Sequence, residues 1–300
     1  MTAEKEARST DLLMAAGWMG LALLSFALLA VSARQLLDTM GAFQILFLRS
    51  GVGLAMIVAY ALPRRPGFAR TTRLRLHLLR NLFHYGGQVC WITALGLLPL
   101  AVVFAMEFTT PIWAAVLAAV FLGERLNRGR IVAIALGFAG ILVILRPGSV
   151  PIAPEILVPL AAAVGFAVSV TATKGLTRSD SPVTILFYML LIQVVLGAVP
   201  AGLTWQPVAA GDLPWLVVAA VTGLTAHYGM TRALQQADAT LVMPMDFLRL
   251  PLIAVVGLVF YREALEPAVL VGAAMIFSGS YYSLSREHRR RLSARAIRTP

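Results

Sequence analysis

Charged residues are scarce in this 300-residue chain, and cysteine is almost absent. Charged side chains make up 13% of the sequence and hydrophobic ones 59%, whereas soluble proteins are roughly one quarter charged. No soluble core could hide so much apolar surface, so the composition predicts a membrane protein with several spans. The single cysteine, Cys90, excludes an internal disulfide and a cysteine metal cage.

Signatures of catalysis are also lacking. The sequence contains no nucleophile elbow, no HExxH motif, no clustered carboxylates and no cysteine–histidine pair at useful spacing. We therefore predict no catalytic residue, no metal site and no enzymatic activity. A membrane-embedded enzyme remains a less favoured alternative. So does a non-transporting scaffold, because the loops are short and offer no soluble domain for signalling.

What the chain does contain is a series of ten long apolar segments. They lie near residues 12–33, 42–62, 76–95, 100–122, 130–146, 155–173, 183–203, 212–232, 239–260 and 267–285. Each approaches the ~20 residues that a spanning helix needs. The apolar runs are continuous rather than alternating, which indicates helices and not the strands of a membrane barrel.

Two halves of the chain resemble each other. Shifting residues 99–126 by 139 positions places them on residues 238–265, so that Glu107 falls on Asp246. The coincidence of two rare intramembrane carboxylates indicates an internal duplication. Because each copy holds five helices, the second copy enters the membrane from the opposite side. The predicted fold class is therefore an all-α membrane protein with ten transmembrane helices in two inverted five-helix repeats. We assign residues 12–146 and 155–285 to the repeats and 286–300 to a basic cytoplasmic tail.

The distribution of basic residues predicts the orientation. With the N-terminus inside, the inner segments carry 19 lysines and arginines and the outer loops carry 3. This bias predicts a multi-pass protein of a bacterial-type inner (plasma) membrane with both termini cytoplasmic. The net charge of +11 then reflects contact with the lipid bilayer, through the arginine-rich tail, and not a nucleic-acid partner.

The sequence resembles the drug/metabolite transporter superfamily, and most closely its duplicated EamA-type domain. The resemblance rests on the five-plus-five arrangement and on Phe-Leu-Gly-Glu-Arg-Leu at residues 121–126, which ends the fourth helix. In the second half, Tyr261-Arg262 replaces Leu122-Gly123. The resemblance implies secondary transport by alternating access without a prosthetic cofactor. Within the superfamily, the sequence is similar to bacterial exporters of amino acids and metabolites of the YddG kind.

A polar and aromatic stripe runs along the third predicted helix. Asn81, His84, Gln88 and Trp91 share one helical face, and Tyr85 lies at its edge. The stripe covers ~15 Å. It either lines a wet cavity and binds substrate, which we favour, or hydrogen-bonds neighbouring helices. Gly86, on the opposite face, is expected to allow close approach of another helix.

Five charged residues lie inside the predicted spans and not at their ends: Arg49, Arg80, Glu107, Asp246 and Arg249. Arg49 and Glu107 each lie seven residues into helices that start outside, so we expect them to form a pair. Asp246 and Arg249 are spaced i, i+3 and can satisfy each other. Structural ion pairing and a coupling role both remain open for these four.

Other residues suggest packing roles. We expect His227 to form a hydrogen-bonded packing contact, and Glu124 and Glu263 to act as gates or as interfacial residues at helix ends. The glycines of the last helix of each repeat are expected to permit close packing, within a monomer or across a homodimer. They are Gly137, Gly140, Gly272 and Gly279.

The stripe also suggests the substrate. Neutral hydrogen-bonding groups lie beside a titratable His84 and the flat ring of Trp91. Methionines such as Met106 and Met245 adapt to varied shapes. We predict export of several amino acids or similar small amphiphilic metabolites. Nucleoside-like compounds, organic cations and drugs are the alternative substrates, and a channel is a weaker alternative mechanism.

Overall fold

The computed structural model describes residues 2–65, 67–110, 112–114, 116–117, 128–146, 154–236, 245–246, 248–264 and 266–296. Within these ranges the chain forms α-helices, two short 3-10 helices and turns, and no strand. We label the helices α1 (Thr2–Leu36), α2 (Ala42–Arg64), α3 (Leu74–Leu97), α4 (Leu100–Glu107), α5 (Arg128–Leu145), α6 (Leu157–Leu176), α7 (Pro182–Leu203), α8 (Leu213–Gln236), α9 (Arg249–Tyr261) and α10 (Pro267–Ala296).

The helix boundaries repeat with the period that the sequence predicts. Helices α1 and α6 end at Leu36 and Leu176, 140 residues apart, and the same kind of turn follows each. Helix α8 follows α3 by 139 residues at both its ends, and α10 begins 139 residues after α5. The all-helical fold and its duplication are thus confirmed over the described residues.

Within the described residues, five helical segments are long and apolar enough to cross a membrane. They are Met14–Leu36, Ala42–Arg64, Pro154–Leu176, Pro182–Leu203 and Ala210–Ala233. Shorter apolar segments occur within α4, α5, α9 and α10. Helix α3 is 24 residues long but is not among the five, because polar and charged side chains interrupt its apolar character.

The chain divides into two compact units, and each unit combines helices from both repeats. The first contains Met1–Leu97 and Val168–Ala237, and the second contains Leu98–Ala167 and Asp238–Pro300. Helices α1, α2, α3, α7 and α8 thus belong to the first unit, and α4, α5, α9 and α10 to the second. The boundary between the units falls within α6.

In the first unit, α2 packs antiparallel to its repeat counterpart α7. A Cβ atom built on Gly53 would lie 3.1 Å from Leu190 Cδ2, and one built on Gly197 would lie 3.4 Å from Phe47 Cβ. Residue numbers rise along α2 while those of their partners fall along α7. Because the two helices are equivalent in the repeats, their opposite directions show that the repeats are inverted.

Loops at the two ends of this helix pair are fixed in related ways. The Gln44 amide donates to the Gln206 carbonyl at 2.7 Å and accepts from the Gln206 N–H at 2.9 Å. Thr184, which lies 140 residues after Gln44, donates to the Phe68 carbonyl at 2.8 Å. Near the latter end, an apolar core buries Ile57, Ala61, Val183, Leu186, Met189 and Leu190.

In the second unit, α5 and α10 approach through two glycines. A Cβ atom on Gly140 would lie 2.6 Å from the Gly272 carbonyl oxygen, and one on Gly272 would lie 2.5 Å from the Gly140 oxygen. Real Cβ contacts essentially never fall below 3.0 Å, so both positions require glycine. Close packing at these two glycines is confirmed, and it occurs within one chain.

The Glu263 carboxylate caps the N-terminus of α4 in the same unit. The Leu100 N–H, in the first turn of α4, donates to Glu263 Oε2 at 2.9 Å. An acceptor at this position satisfies an N–H group that the helix itself leaves unpaired. Its counterpart Glu124 lies outside the described residues, as does the 121–126 motif.

Candidate functional site

Helix α3 turns its polar stripe inward and its apolar side outward. Each of the five stripe residues, Asn81, His84, Tyr85, Gln88 and Trp91, is at most 8% exposed. Leu78, Leu79, Leu82 and Phe83 are 40–58% exposed. In a bilayer this arrangement places hydrocarbon against lipid and hydrogen-bonding groups inside the protein.

Gly86 lies on the exposed side of α3. Among the residues that the structure describes, nothing comes within 4 Å of a Cβ atom built on it. The expectation that Gly86 permits a close helix approach is therefore wrong. Its face carries large exposed apolar side chains, and no helix of the described ranges packs against it.

Arg49 of α2 joins the stripe through Gln88. Its Nη2 donates to Gln88 Oε1 at 3.0 Å and to Gln193 Oε1, on α7, at 3.5 Å. The same Gln193 oxygen accepts from the Ser50 hydroxyl at 2.9 Å. The guanidinium passes over Gly223 of α8, where a Cβ atom would lie 3.1 Å from Nη1. Arg49 is 4% exposed, so three helices enclose its charge.

Arg80 forms a second buried cationic centre, two turns before Gln88 on α3. Its Nε donates to the Thr173 hydroxyl at 3.1 Å, and its Nη1 donates to Asn81 Oδ1 at 2.6 Å. Thr173 in turn donates to the Ser169 carbonyl at 2.8 Å. The stripe therefore lies between two buried guanidinium groups, each held by neutral oxygens.

Aromatic rings and histidines fill the space beside the stripe. The rings of His84 and His227 meet edge to face, with centroids 5.0 Å apart. His227 also contacts Phe26 of α1 at 5.4 Å. The Tyr85 hydroxyl lies 3.2 Å from the position of a Cβ atom on Gly197. His227, predicted to form a hydrogen-bonded packing contact, thus lies directly against the stripe.

The second unit contains a compact charged cluster. Arg249 Nη2 donates to Glu107 Oε1 at 2.9 Å and to Asp246 Oδ2 at 2.8 Å. The guanidinium carbon also lies 4.9 Å from the Phe104 ring centroid and 5.6 Å from that of Phe108. The predicted contact between Asp246 and Arg249 is confirmed.

The expected pairing of Arg49 with Glu107 is wrong. Arg49 donates to two glutamines of its own unit, whereas Glu107 accepts from Arg249. The expectation rested on equal depth within the membrane. Depth does not specify which helices are neighbours, and α4 packs against α9 of the second repeat.

Several residues of these networks were missed by the sequence analysis. Gln193 and Ser50 are isolated polar residues in apolar helices, which is a detectable signal for an internal contact. Asp180 was missed because it lies in a turn. It is buried, and its Oδ2 accepts from the Thr71 hydroxyl and lies 2.7 Å from His77 Nε2.

Known proteins resemble this chain over most of its length. The sequence matches the EamA-like transporter family over residues 13–146 and 153–285. It is 31% identical to a riboflavin transporter of Rhizobium johnstonii over 91% of each chain. It is 25% identical to an S-adenosylmethionine uptake transporter of Rickettsia felis, over 91% of this chain and 95% of the relative.

Two further comparisons extend this result. The pseudopaline exporter CntI of Pseudomonas aeruginosa is 26% identical over 85% of this chain and 90% of its own. A solved crystal structure superposes with a TM-score of 0.63 at 21% identity, covering 95% of this chain and 99% of that one. The crystal structure shows that the fold is shared.

Proposed function

The chain belongs to the EamA-like transporter family of the drug/metabolite transporter superfamily, and from that premise we propose how it transports small metabolites. It binds small amphiphilic metabolites on the inner face of α3 and moves them across the membrane by alternating access. Asn81, His84, Tyr85, Gln88 and Trp91 contact the substrate. The observation that carries this proposal is the burial of all five inside a membrane helix bundle.

Polar groups within a membrane are costly, and they mark pathways more often than they serve as ordinary packing. Asn81 and Gln88 offer amide hydrogen bonds, Tyr85 a hydroxyl, and Trp91 a flat ring surface. Gln88 and Asn81 also accept hydrogen bonds from two buried guanidinium groups. The face can therefore hold a molecule that combines hydrogen-bonding groups with an apolar or ring-shaped part.

The relatives support small metabolites as substrates, because their names refer to riboflavin, S-adenosylmethionine and pseudopaline. Amino acids stay within our proposal as the simplest compounds that fit the stripe. Ring compounds of nucleoside or flavin size enter it because of Trp91 and the named substrates of the relatives. The three names include both uptake and export, so direction is left to experiment.

We assign a structural role to the cluster of Glu107, Asp246 and Arg249. Its guanidinium is bound by two carboxylates and flanked by two phenylalanine rings. The cluster joins α4 to α9 and compensates the charge of Arg249 within the protein.

The location follows from the sequence and the family together. We propose that the protein lies in the bacterial inner membrane with both termini cytoplasmic. The 19 to 3 distribution of basic residues supports this orientation.

Transport into proteoliposomes tests the proposed function. The panel contains amino acids, riboflavin, S-adenosylmethionine, a nucleoside and a lipophilic cation. Trp91→Ala and His84→Ala should each lower transport of accepted compounds at least about tenfold, the loss expected for a binding group worth ~1.4 kcal/mol. Phe83→Ala is the matched control, because Phe83 is an aromatic residue on the exposed side of the same helix.

Folded protein is quantified by size-exclusion chromatography for every variant. Full activity of both Trp91→Ala and His84→Ala would contradict the assignment of the α3 face. Transport of none of the panel compounds by the wild type would contradict the proposed substrate class.

A further inference from the structure

Three arginines are buried in the described part of the chain, and they differ in how their charge is compensated. Arg249 is bound by two carboxylates. Arg49 and Arg80 are equally buried, but their hydrogen-bond partners in the described residues are neutral amide and hydroxyl oxygens. The first unit thus contains two buried positive charges that its own described side chains do not neutralise.

Neutral hydrogen bonds do not remove the cost of a buried charge. A guanidinium without a counter-charge in a low-dielectric interior is strongly unfavourable, and folding alone would favour a pair or an apolar residue. A charge kept at such a position indicates that another molecule supplies the missing negative group.

Of the two arginines, Arg49 retains more binding capacity. Arg80 already uses its Nε and Nη1. Arg49 uses only Nη2, and its Nε is buried without an acceptor among the described residues. The Nε2 of Gln193 also lacks an acceptor there. Two buried donors, one of them charged, therefore remain unsatisfied in the same network.

The surroundings of Arg49 suit an acidic ligand. Gly223 presents no side chain toward Nη1, so the guanidinium meets only the backbone of α8 on that side. Gln88 connects Arg49 to the stripe, and Trp91 follows one helical turn later on the same face, about 4.5 Å along the axis. A carboxylate on Arg49 would thus leave the remainder of a small molecule near Trp91.

We propose that Arg49 is the anion-binding residue of the substrate site, and that the transported compounds are small organic carboxylates with an apolar or ring-bearing part. This inference rests on the proposed function of the α3 face. Planar guanidinium groups bind carboxylates through charge-assisted hydrogen bonds. Gln193 holds the guanidinium in place and acts as a positioning residue, and Gln88 links the guanidinium to the face that contacts the substrate.

Thermal stabilisation of the purified protein in nanodiscs tests this proposal without requiring transport. The probes are benzoate, benzamide and inorganic phosphate, so that the first two differ in charge but hardly in shape. Benzoate should stabilise the wild type, and benzamide should not. Arg49→Gln should weaken benzoate binding about 10- to 100-fold, the range for hydrogen bonds to charged groups. Arg49→Lys should retain part of it, and Arg80→Gln should retain the benzoate preference.

A second readout excludes a merely structural role. Without probes, Arg49→Gln should melt at or above the wild-type temperature, because it removes an uncompensated charge and keeps an amide donor. A large loss of stability in Arg49→Gln, equal stabilisation by benzoate and benzamide, or no stabilisation by either would overturn the proposal. So would dependence of benzoate binding on Arg80 rather than Arg49. Stabilisation by phosphate alone would replace organic carboxylates with inorganic oxyanions and would also overturn it.

The same proteoliposome panel separates the two proposals. If no compound is transported, the proposed function fails. If the amino acids of the panel, which carry a carboxylate, are transported equally well by wild type and Arg49→Gln, the proposed function stands and the anion-binding role of Arg49 fails.

Discussion

Replacing Arg249 with glutamine should destabilise the protein severely. The substitution removes the cation that Glu107 and Asp246 share, while the two carboxylate side chains remain only 14% and 11% exposed. Removal of one partner from a buried ion pair typically costs ~3–5 kcal/mol, because the remaining charge lacks compensation. The contacts of the guanidinium with Phe104 and Phe108 are lost as well.

This loss should be visible as a fall in melting temperature. For a domain of 150–250 residues, 1 kcal/mol corresponds to roughly 2–4 °C, so the expected fall is on the order of 10 °C. The melting temperature of Arg249→Lys should lie between those of the wild type and Arg249→Gln, since lysine keeps the charge but loses the planar group. Asp246→Asn should cost less than Arg249→Gln, because the contact between Glu107 and Arg249 remains.

The assay is thermal unfolding of the purified protein in detergent, followed by the fraction that stays monodisperse after heating. Double substitution Arg249→Gln with Asp246→Asn should recover part of the stability. Wild-type stability in Arg249→Gln would refute the structural assignment of this cluster. A transport defect without a stability defect would assign the cluster to coupling instead.

Three further predictions concern other parts of the molecule. Gly272→Val should lower the melting temperature, since the added Cβ atom would collide with the Gly140 carbonyl in the contact between α5 and α10. Gly86→Val, on the exposed side of α3, should not lower it. Equal melting temperatures for the two variants would contradict this packing. Burial alone would raise the pKa of Asp180, but hydrogen bonds from Thr71, His77 and Ser179 outweigh it and lower that pKa. A carboxyl group whose pKa is lower in the folded state stabilises the fold at pH values above its pKa in the unfolded state, which is ~3.9 for Asp. This stabilisation is lost as the pH falls. The melting temperature of Asp180→Asn should therefore fall less steeply between about pH 5 and pH 3 than that of the wild type. Equal slopes in the two proteins would contradict the stabilising role of the Asp180 carboxylate. Finally, single cysteines at Thr72 and Ser149 in a Cys90→Ala background test the orientation with an impermeant label in intact cells. The basic-residue distribution predicts that the cysteine at Thr72 is protected and that the one at Ser149 is labelled. The reverse pattern would contradict the proposed orientation.

The repeat and the helical fold could be predicted because they depend on periodic features of the sequence. Apolar length determines a membrane span, and the match of Glu107 with Asp246 revealed the period that helices α3 and α8 reproduce at both ends. The inward orientation of the α3 stripe was likewise accessible, since a polar face on an apolar helix avoids lipid.

The partners of individual charges could not be predicted in the same way. Arg49 and Glu107 have similar calculated depths, but hydrogen bonding depends on which helices are adjacent. In each unit a helix of the first repeat packs against one of the second, α2 against its counterpart α7 and α4 against α9, and this places Gln193 beside Arg49 and Arg249 beside Glu107. Contacts made in loops, such as that between Asp180 and Thr71, have no periodic signal at all.

The polar character of α3 also constrains how the protein is made. An arginine in a spanning helix opposes membrane insertion, by ~2.5–3.5 kcal/mol at the helix centre, and α3 is not apolar enough to belong with the five evident spans. Besides their acceptors in the first repeat, Arg80 and Arg49 donate to Thr173 and Gln193, which are synthesised 93 and 144 residues later, within the second repeat. The first repeat therefore cannot complete its own interior during synthesis. A lone five-helix ancestor would have needed a second copy inserted in the opposite direction, and joining both copies in one chain supplies that partner at every round of translation.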